Sequence, residues 1–130
     1  RGYETILFVD DEKIILDVGK AMLEKLGYRI FTAQSGMDAI DIVTKMGAAI
    51  DLVILDLIMP GMDGVRTFNA IRERRPELPV LLASGYAIDS QAAALMQRGC
   101  RGFIQKPFRI EKLSVMLRKI LDSPPTPDPS

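Results

Sequence analysis

Short aliphatic and β-branched runs alternate along the chain with stretches whose apolar positions return at helical spacing. The runs Ile6–Val9, Arg29–Thr32, Leu52–Leu55, Val80–Ala83 and Gly102–Ile104 predict five strands. Apolar runs without polar alternation are the mark of strands covered on both faces, as in a parallel sheet. Between the first two runs, Ile14, Ile15, Val18, Met22 and Leu26 recur at helical spacing, and Gly27 stands where a C-cap would. Ser35, three residues before Asp38, resembles a capping arrangement, followed by Ala39, Ile40, Val43, Met46 and the stop Gly47. Val65, Phe68 and Ile71 give a third apolar face, closed by Pro76. Ala92, Leu95 and Met96 give a fourth, closed by Gly99. Leu113, Met116, Leu117, Ile120 and Leu121 give the last. Five strand–helix units predict a doubly wound α/β sheet with right-handed crossovers. Residues 123–130 hold four prolines and read as an extended tail or linker after a single domain over residues 1–122.

Two of the runs end in acid. Asp56 follows Leu52–Leu55, and Asp10-Asp11-Glu12 follows Ile6–Val9. Carboxyl ends of parallel strands are where open α/β sheets bind ligands. Several carboxylates aimed at one point repel one another, so the site calls for a cation. The chain has no histidine. That removes Ser-His-Asp and Cys-His catalysis and imidazole metal ligands, and it leaves oxygen donors, which favour magnesium, calcium or manganese over zinc. Seventeen basic residues balance seventeen acidic ones, so no net charge draws nucleic acid or an acidic membrane. No apolar run approaches the ~20 residues of a membrane helix. The single Cys100 reads as a small buried residue and cannot form an internal disulfide, which fits a reducing compartment.

Taken in order, the pair Asp10-Asp11, Asp56, the loop Met59-Pro60-Gly61-Met62-Asp63-Gly64, the hydroxyl of Ser84 and Lys106-Pro107-Phe108 give the chain its family likeness. Over residues 4–121 it resembles the receiver domain of two-component signalling. The resemblance implies a flavodoxin-like five-stranded parallel sheet in the order 2-1-3-4-5. It implies that Asp56 is the phosphoacceptor, a nucleophile that becomes an aspartyl phosphate. It further implies Mg²⁺, or Mn²⁺, held by Asp11, Asp56 and the backbone carbonyl of Ile58, with Asp10 acting through water. Lys106 would neutralise first the carboxylate and then the phosphoryl oxygen, and Ser84 would hydrogen-bond the phosphoryl group. Ser84 and Phe103 occupy the positions of the family's switch, and serine in place of the commoner threonine implies a softer coupling. Lys106-Pro107 is expected to be cis, and Ile58 and Tyr86 to flank the site and slow hydrolysis.

The donor implied is a histidine kinase or histidine phosphotransfer domain, since this chain holds no histidine of its own. The location implied is cytoplasmic, with signalling and homodimerisation through the fourth and fifth helices. The domain is expected not to be a turnover enzyme by itself. The start at Arg1 rather than methionine suggests a piece of a longer chain, and the opening Tyr3-Glu4-Thr5-Ile6-Leu7 and the segment Ala83-Ser84-Gly85-Tyr86 resemble receivers at the C-terminus of hybrid sensor kinases; a free-standing receiver or the amino-terminal receiver of a longer regulator is the alternative. Plainer readings stand beside these. Asp10 and Asp11 suit helix capping, Lys106 a solvated loop, Ser84 a turn and Phe103 core packing. A haloacid-dehalogenase-type phosphatase would need an aspartate where Ile58 stands. A degenerate receiver serving only as an interaction module is the remaining rival.

Overall fold

The computed structural model describes residues 3–57, 64–85, 90–106 and 108–122, with the backbone only of residues 90–92. The expectations for Ile58, Tyr86, the Lys106-Pro107 peptide and the 123–130 tail lie outside the described residues.

The apolar runs become strands β1 (Thr5–Val9), β2 (Arg29–Ala33), β3 (Leu52–Asp56), β4 (Val80–Ser84) and β5 (Gly102–Gln105). They pair in parallel in the order β2-β1-β3-β4-β5, as expected. Helices α1 (Lys13–Lys25), α2 (Gly36–Met46), α3 (Gly64–Arg74), α4 (Ser90–Gln97) and α5 (Ile110–Asp122) make the crossovers. Alternation along each strand divides the core. Leu7, Val9, Val53, Leu55, Val80 and Leu82 face α2, α3 and α4 through Ala39, Val43, Phe68, Ile71 and Leu95. Ile6, Phe8, Leu52, Ile54, Leu81 and Ala83 face α1 and α5 through Leu16, Leu23, Leu113, Leu117 and Ile120. Burial on both faces is why these strands carry no polar alternation.

Strands β3, β4 and β5 each run one residue beyond the apolar stretch. Asp56 pairs with Ala83 and Ser84 with Gln105, because ladder bonds belong to the backbone and ignore side-chain polarity. The strands therefore carry Asp56 and Ser84 within the sheet, as buried polar residues.

Helix α2 begins as its sequence predicts, with the Ser35 hydroxyl accepting from the Asp38 N–H at 3.1 Å. Helix α1 closes on Gly27, whose φ of 101° permits the Tyr28 N–H to reach the Leu23 carbonyl. Its face differs from expectation. Ile14 is 71% exposed and Val18 53%, whereas Leu16, Gly19 and Leu23 are the buried residues. The Phe8 ring lies where a Gly19 Cβ would be, so the notch at Gly19 rotates α1 onto Leu16 and Leu23. At the opposite end of the sheet, Arg118 of α5 grips Glu4 through two bonds of 2.9 and 2.8 Å and also meets Asp122. Cys100 is buried, and loss of hydration, only partly offset by the Arg72 charge, pushes its thiol up to about 12. It is an inert core group.

Candidate functional site

The carboxyl ends of β1 and β3 are adjacent in the sheet, and β1 delivers Asp10 and Asp11 beside Asp56. One carboxylate oxygen from each of the three lies within 4.8 Å of the others. Asp10 is fully buried, Asp56 is 4% exposed and Asp11 lies at the rim. The Asp10 backbone continues the ladder through a bond to the Ala33 carbonyl, and its Oδ1 accepts from the Glu12 N–H at 3.0 Å. Glu12, the N-cap of α1, makes no side-chain capping bond. Asp10 thus shapes the turn into α1 with one oxygen and keeps the other for the site.

Lys106 enters from the end of β5. Its backbone N–H donates to the Ser84 carbonyl at 2.6 Å, fixing the start of the loop against β4. Its ammonium lies 2.6 Å from Asp10 Oδ2 and 3.4 Å from Asp56 Oδ2. The shorter contact is with Asp10, where the sequence pointed to Asp56 as the partner. Burial alone would lower the lysine's proton affinity. The hydrogen bond to Asp10 and the charges of Asp56 and Asp10 outweigh it and hold the ammonium above the ordinary lysine range. The solvated-loop reading of Lys106 does not survive, since the side chain is 15% exposed and doubly paired.

Ser84 closes β4, 4% exposed. Strand alternation puts it on the same sheet face as Leu82, whose partner on β5 is Phe103. Phe103 is half-buried and packs on the α2–α4 side of the core, so Ser84 and Phe103 share a face while Phe103 stays away from the carboxylates. Two glycines complete the frame. At Gly64, the first residue of α3, a Cβ would stand 2.5 Å from Leu57 Cα, and its N–H donates to the Leu57 carbonyl at 2.9 Å. At Gly85 a Cβ would meet nothing within 4 Å, which leaves the mouth open above Asp56. Gly64 belongs to the loop that the sequence marks before the third helix, whereas Gly19 was not singled out by pattern as site-shaping. A glycine inside a helical pattern is the signal that could have marked Gly19.

Three carboxylates face one ammonium, and every donor is oxygen. That set is short of positive charge and fits a hard divalent cation such as Mg²⁺. Among the described residues no helix is long and apolar enough to cross a membrane.

Comparison with known proteins agrees with this geometry. The family model of the response regulator receiver domain matches residues 6–118. The sensor kinase CckA of Brucella abortus (strain 2308) is 33% identical over 121 residues, which are 93% of this chain and 13% of that protein. The response regulator MprA of Mycobacterium sp. (strain KMS) is 30% identical over 116 residues, 89% of this chain and 50% of that one. The chain therefore spans half or less of these curated relatives. A receiver domain protein from Clostridium thermocellum superposes with a TM-score of 0.87 at 29% identity, covering 92% of this chain and 94% of its own. The receiver domain of NtrX from Brucella abortus does so with a TM-score of 0.83 at 32% identity, covering 92% and 99%. From the parallel order of its sheet, the acids at the ends of β1 and β3 and the extent of these matches, the chain belongs to the response regulator receiver domain family.

Proposed function

We propose that the chain is a phosphoacceptor in which Asp56 takes a phosphoryl group from a phosphohistidine on a separate kinase or phosphotransfer domain. The convergence of Asp10, Asp11 and Asp56 on one point beside Lys106 carries this reading. An Asp56 carboxylate oxygen attacks phosphorus while the bond from phosphorus to the donor nitrogen breaks, and the imidazole leaves with that electron pair. Asp11, Asp56 and the Ile58 carbonyl would hold Mg²⁺ (or Mn²⁺), with Asp10 contributing through water. The ion, when bound, would neutralise charge on the phosphoryl oxygens. Lys106 supplies a second positive charge, and its hold on Asp10 keeps the ammonium at the mouth of the site. The roles are carried by burial as much as by charge: an unpaired Asp56 at the end of an apolar strand would be costly.

Incubation with Mg²⁺ and acetyl phosphate, read by intact mass, tests the reading. One phosphoryl adduct is expected, and Asp56→Asn should lose it. No adduct with any donor would leave an interaction module built on a receiver fold.

Phosphorylation is proposed to act through Ser84 and Phe103, which share a sheet face, on the surface of α4 and α5, where Val115 is 67% exposed. That surface is also proposed to pair two copies of the chain. With a serine hydroxyl lacking threonine's methyl, the Phe103 ring is expected to sample both inward and outward rotamers when beryllofluoride is bound. A ring held in one and the same rotamer with and without beryllofluoride would contradict this. The similarity to the sensor kinase CckA supports placement of this receiver within a larger, cytoplasmic part of a sensor kinase. The domain order of the parent gene decides between that and a free-standing or amino-terminal receiver of a longer regulator.

A further inference from the structure

The last arginines of α3 divide by flank. Toward α2, Arg74 donates to the Thr44 hydroxyl at 2.7 Å and to the Ala70 carbonyl, and Arg75, just past the helix, pairs with Glu77 at 3.1 Å. Toward α4 the pattern changes. The half-buried Arg72 guanidinium lies over the buried Phe68 ring, 5.6 Å from its centroid, and reaches Gly99 beyond the end of α4. A Cβ at Gly99 would stand 2.5 Å from Arg72 Nη1, so the guanidinium fills the place of a side chain there; the φ of 108° asks for glycine as well. Arg98 crosses the other way and donates to Asn69 Oδ1 at 3.2 Å, three residues before Arg72 and on the same flank of α3. Two guanidiniums, each held in place, thus share the groove between the C-terminal ends of α3 and α4. Among the described residues neither meets a carboxylate, and the exposed Glu73 beside Arg72 forms no ion pair either. Helix-end chemistry does not account for the two arginines. The carbonyls of Ala94, Leu95 and Met96 already accept the backbone N–H groups of Arg98, Gly99 and Cys100.

We propose that this groove docks an extended acidic segment of a partner protein, two of whose carboxylates are taken by Arg72 and Arg98. A half-buried cation without a counter-ion is costly, and a planar fork already fixed in position matches a carboxylate with two parallel hydrogen bonds. Charge complementarity favours a short acidic peptide over a long polyanion such as nucleic acid. The groove offers two fixed guanidiniums with Glu73 beside them, and the chain as a whole balances seventeen basic residues against seventeen acidic ones. The groove lies at the amino ends of β4 and β5, where the Arg101 N–H meets the Val80 carbonyl, whereas Asp56 stands at the carboxyl end of β3. Docking here is therefore separate from the phosphoacceptor chemistry.

Fluorescein-labelled hexaglutamate tests this by fluorescence anisotropy on the full chain at low ionic strength, with amide NMR spectra locating the contact. Binding is expected, with the amides of Asn69, Arg98 and Gly99 shifting most. Arg72→Gln and Arg98→Gln should each weaken it about tenfold, the loss of one charge-assisted pairing. Arg29→Gln, which removes an exposed arginine at the start of β2, should leave it unchanged. Arg72→Lys should weaken it nearly as much as Arg72→Gln, since an ammonium keeps the charge and loses the fork. Arg98 is exposed, so Arg98→Gln carries the test should Arg72→Gln lose its fold. Unchanged affinity in Arg98→Gln, or full binding by Arg72→Lys, would overturn the site, because diffuse charge would then suffice. Tighter binding of labelled hexathymidylate than of hexaglutamate would overturn it in favour of nucleic acid. Absence of hexaglutamate binding would overturn it outright.

Discussion

Lys106→Met should destabilise the folded chain by about 3 kcal/mol without divalent cations, a drop in Tm of about 12 °C for a domain of this size. The lysine is the only positive group bonded to the fully buried Asp10, at 2.6 Å, among the side-chain contacts of the described residues. It also lies 3.4 Å from Asp56. Methionine keeps most of the side-chain volume and removes the charge, leaving three carboxylates within 4.8 Å to repel one another. Loss of one partner from a buried pair costs more than the pair contributes, because the other charge is left uncompensated in a poor solvent. Urea melts followed by circular dichroism measure the loss. The double variant Asp10→Asn with Lys106→Met should recover most of it, since the strongest of the orphaned charges is gone. If the double variant is as unstable as Lys106→Met alone, the cost lies in packing rather than charge.

The same pair has a pH signature. The folded-state value of Lys106 lies above its ordinary 10.5. A group raised in the folded state contributes its full stability below the unfolded value, and the contribution is lost as pH rises through the folded value. The gap between the wild type and Lys106→Met should therefore be flat from neutrality to about pH 10 and narrow above it. Millimolar Mg²⁺ should narrow it at neutral pH as well, because a cation that binds only the folded site stabilises by mass action and binds more tightly to the variant, where no ammonium competes for the carboxylates.

These expectations depend on details of very different legibility. The strands read easily because β1, β3 and β4 are buried on both faces, which turns each into an unbroken apolar word. Their ends read one residue short at Asp56 and Ser84, where polar side chains stay in the backbone ladder. Asp56 was legible because a carboxylate directly after such a run has few ordinary explanations, whereas Asp10, Asp11 and Lys106 each had a plainer one and were legible only through their order along the chain and the resemblance it carries. Which carboxylate the lysine prefers was not, since that turns on how far the β5 loop reaches across the twisted ends of β3 and β1. Helix α1 shows the sharper failure. Two stripes, one through Ile14 and Val18 and another through Leu16, Gly19 and Leu23, fit helical spacing almost equally well. The choice was made by a tertiary contact, the Phe8 ring in the Gly19 notch, that no local pattern contains. The grip of Arg118 on Glu4, across 114 positions of sequence, was hidden for the same reason.

Gly64→Ala should cost about 3 kcal/mol and slow phosphorylation of Asp56, although alanine is the better helix former by about 1 kcal/mol. The added Cβ would stand 2.5 Å from Leu57 Cα and 2.6 Å from the Leu57 carbonyl oxygen, and both are backbone atoms that no rotamer change can move aside. The carbonyl is also the acceptor of the Gly64 N–H at 2.9 Å, so relief by separation breaks that bond. Leu57 cannot retreat freely either, because its own N–H donates to the Ala83 carbonyl at 3.0 Å. Any displacement therefore passes to Asp56, one residue away, and tilts its carboxylate relative to Asp11 and Lys106. Loss of stability and loss of phosphorylation rate should appear together for this reason. Gly85→Ala supplies the contrast, since a Cβ there meets nothing within 4 Å and φ is not positive. Its stability should stay within about 0.5 kcal/mol of the wild type. Thermal melts of the two variants, with adduct formation from acetyl phosphate measured on Gly64→Ala, decide the matter. Equal stability of the two alanine variants would mean that the start of α3 yields without disturbing β3, and that the closeness of Gly64 to Leu57 does not hold Asp56 in place.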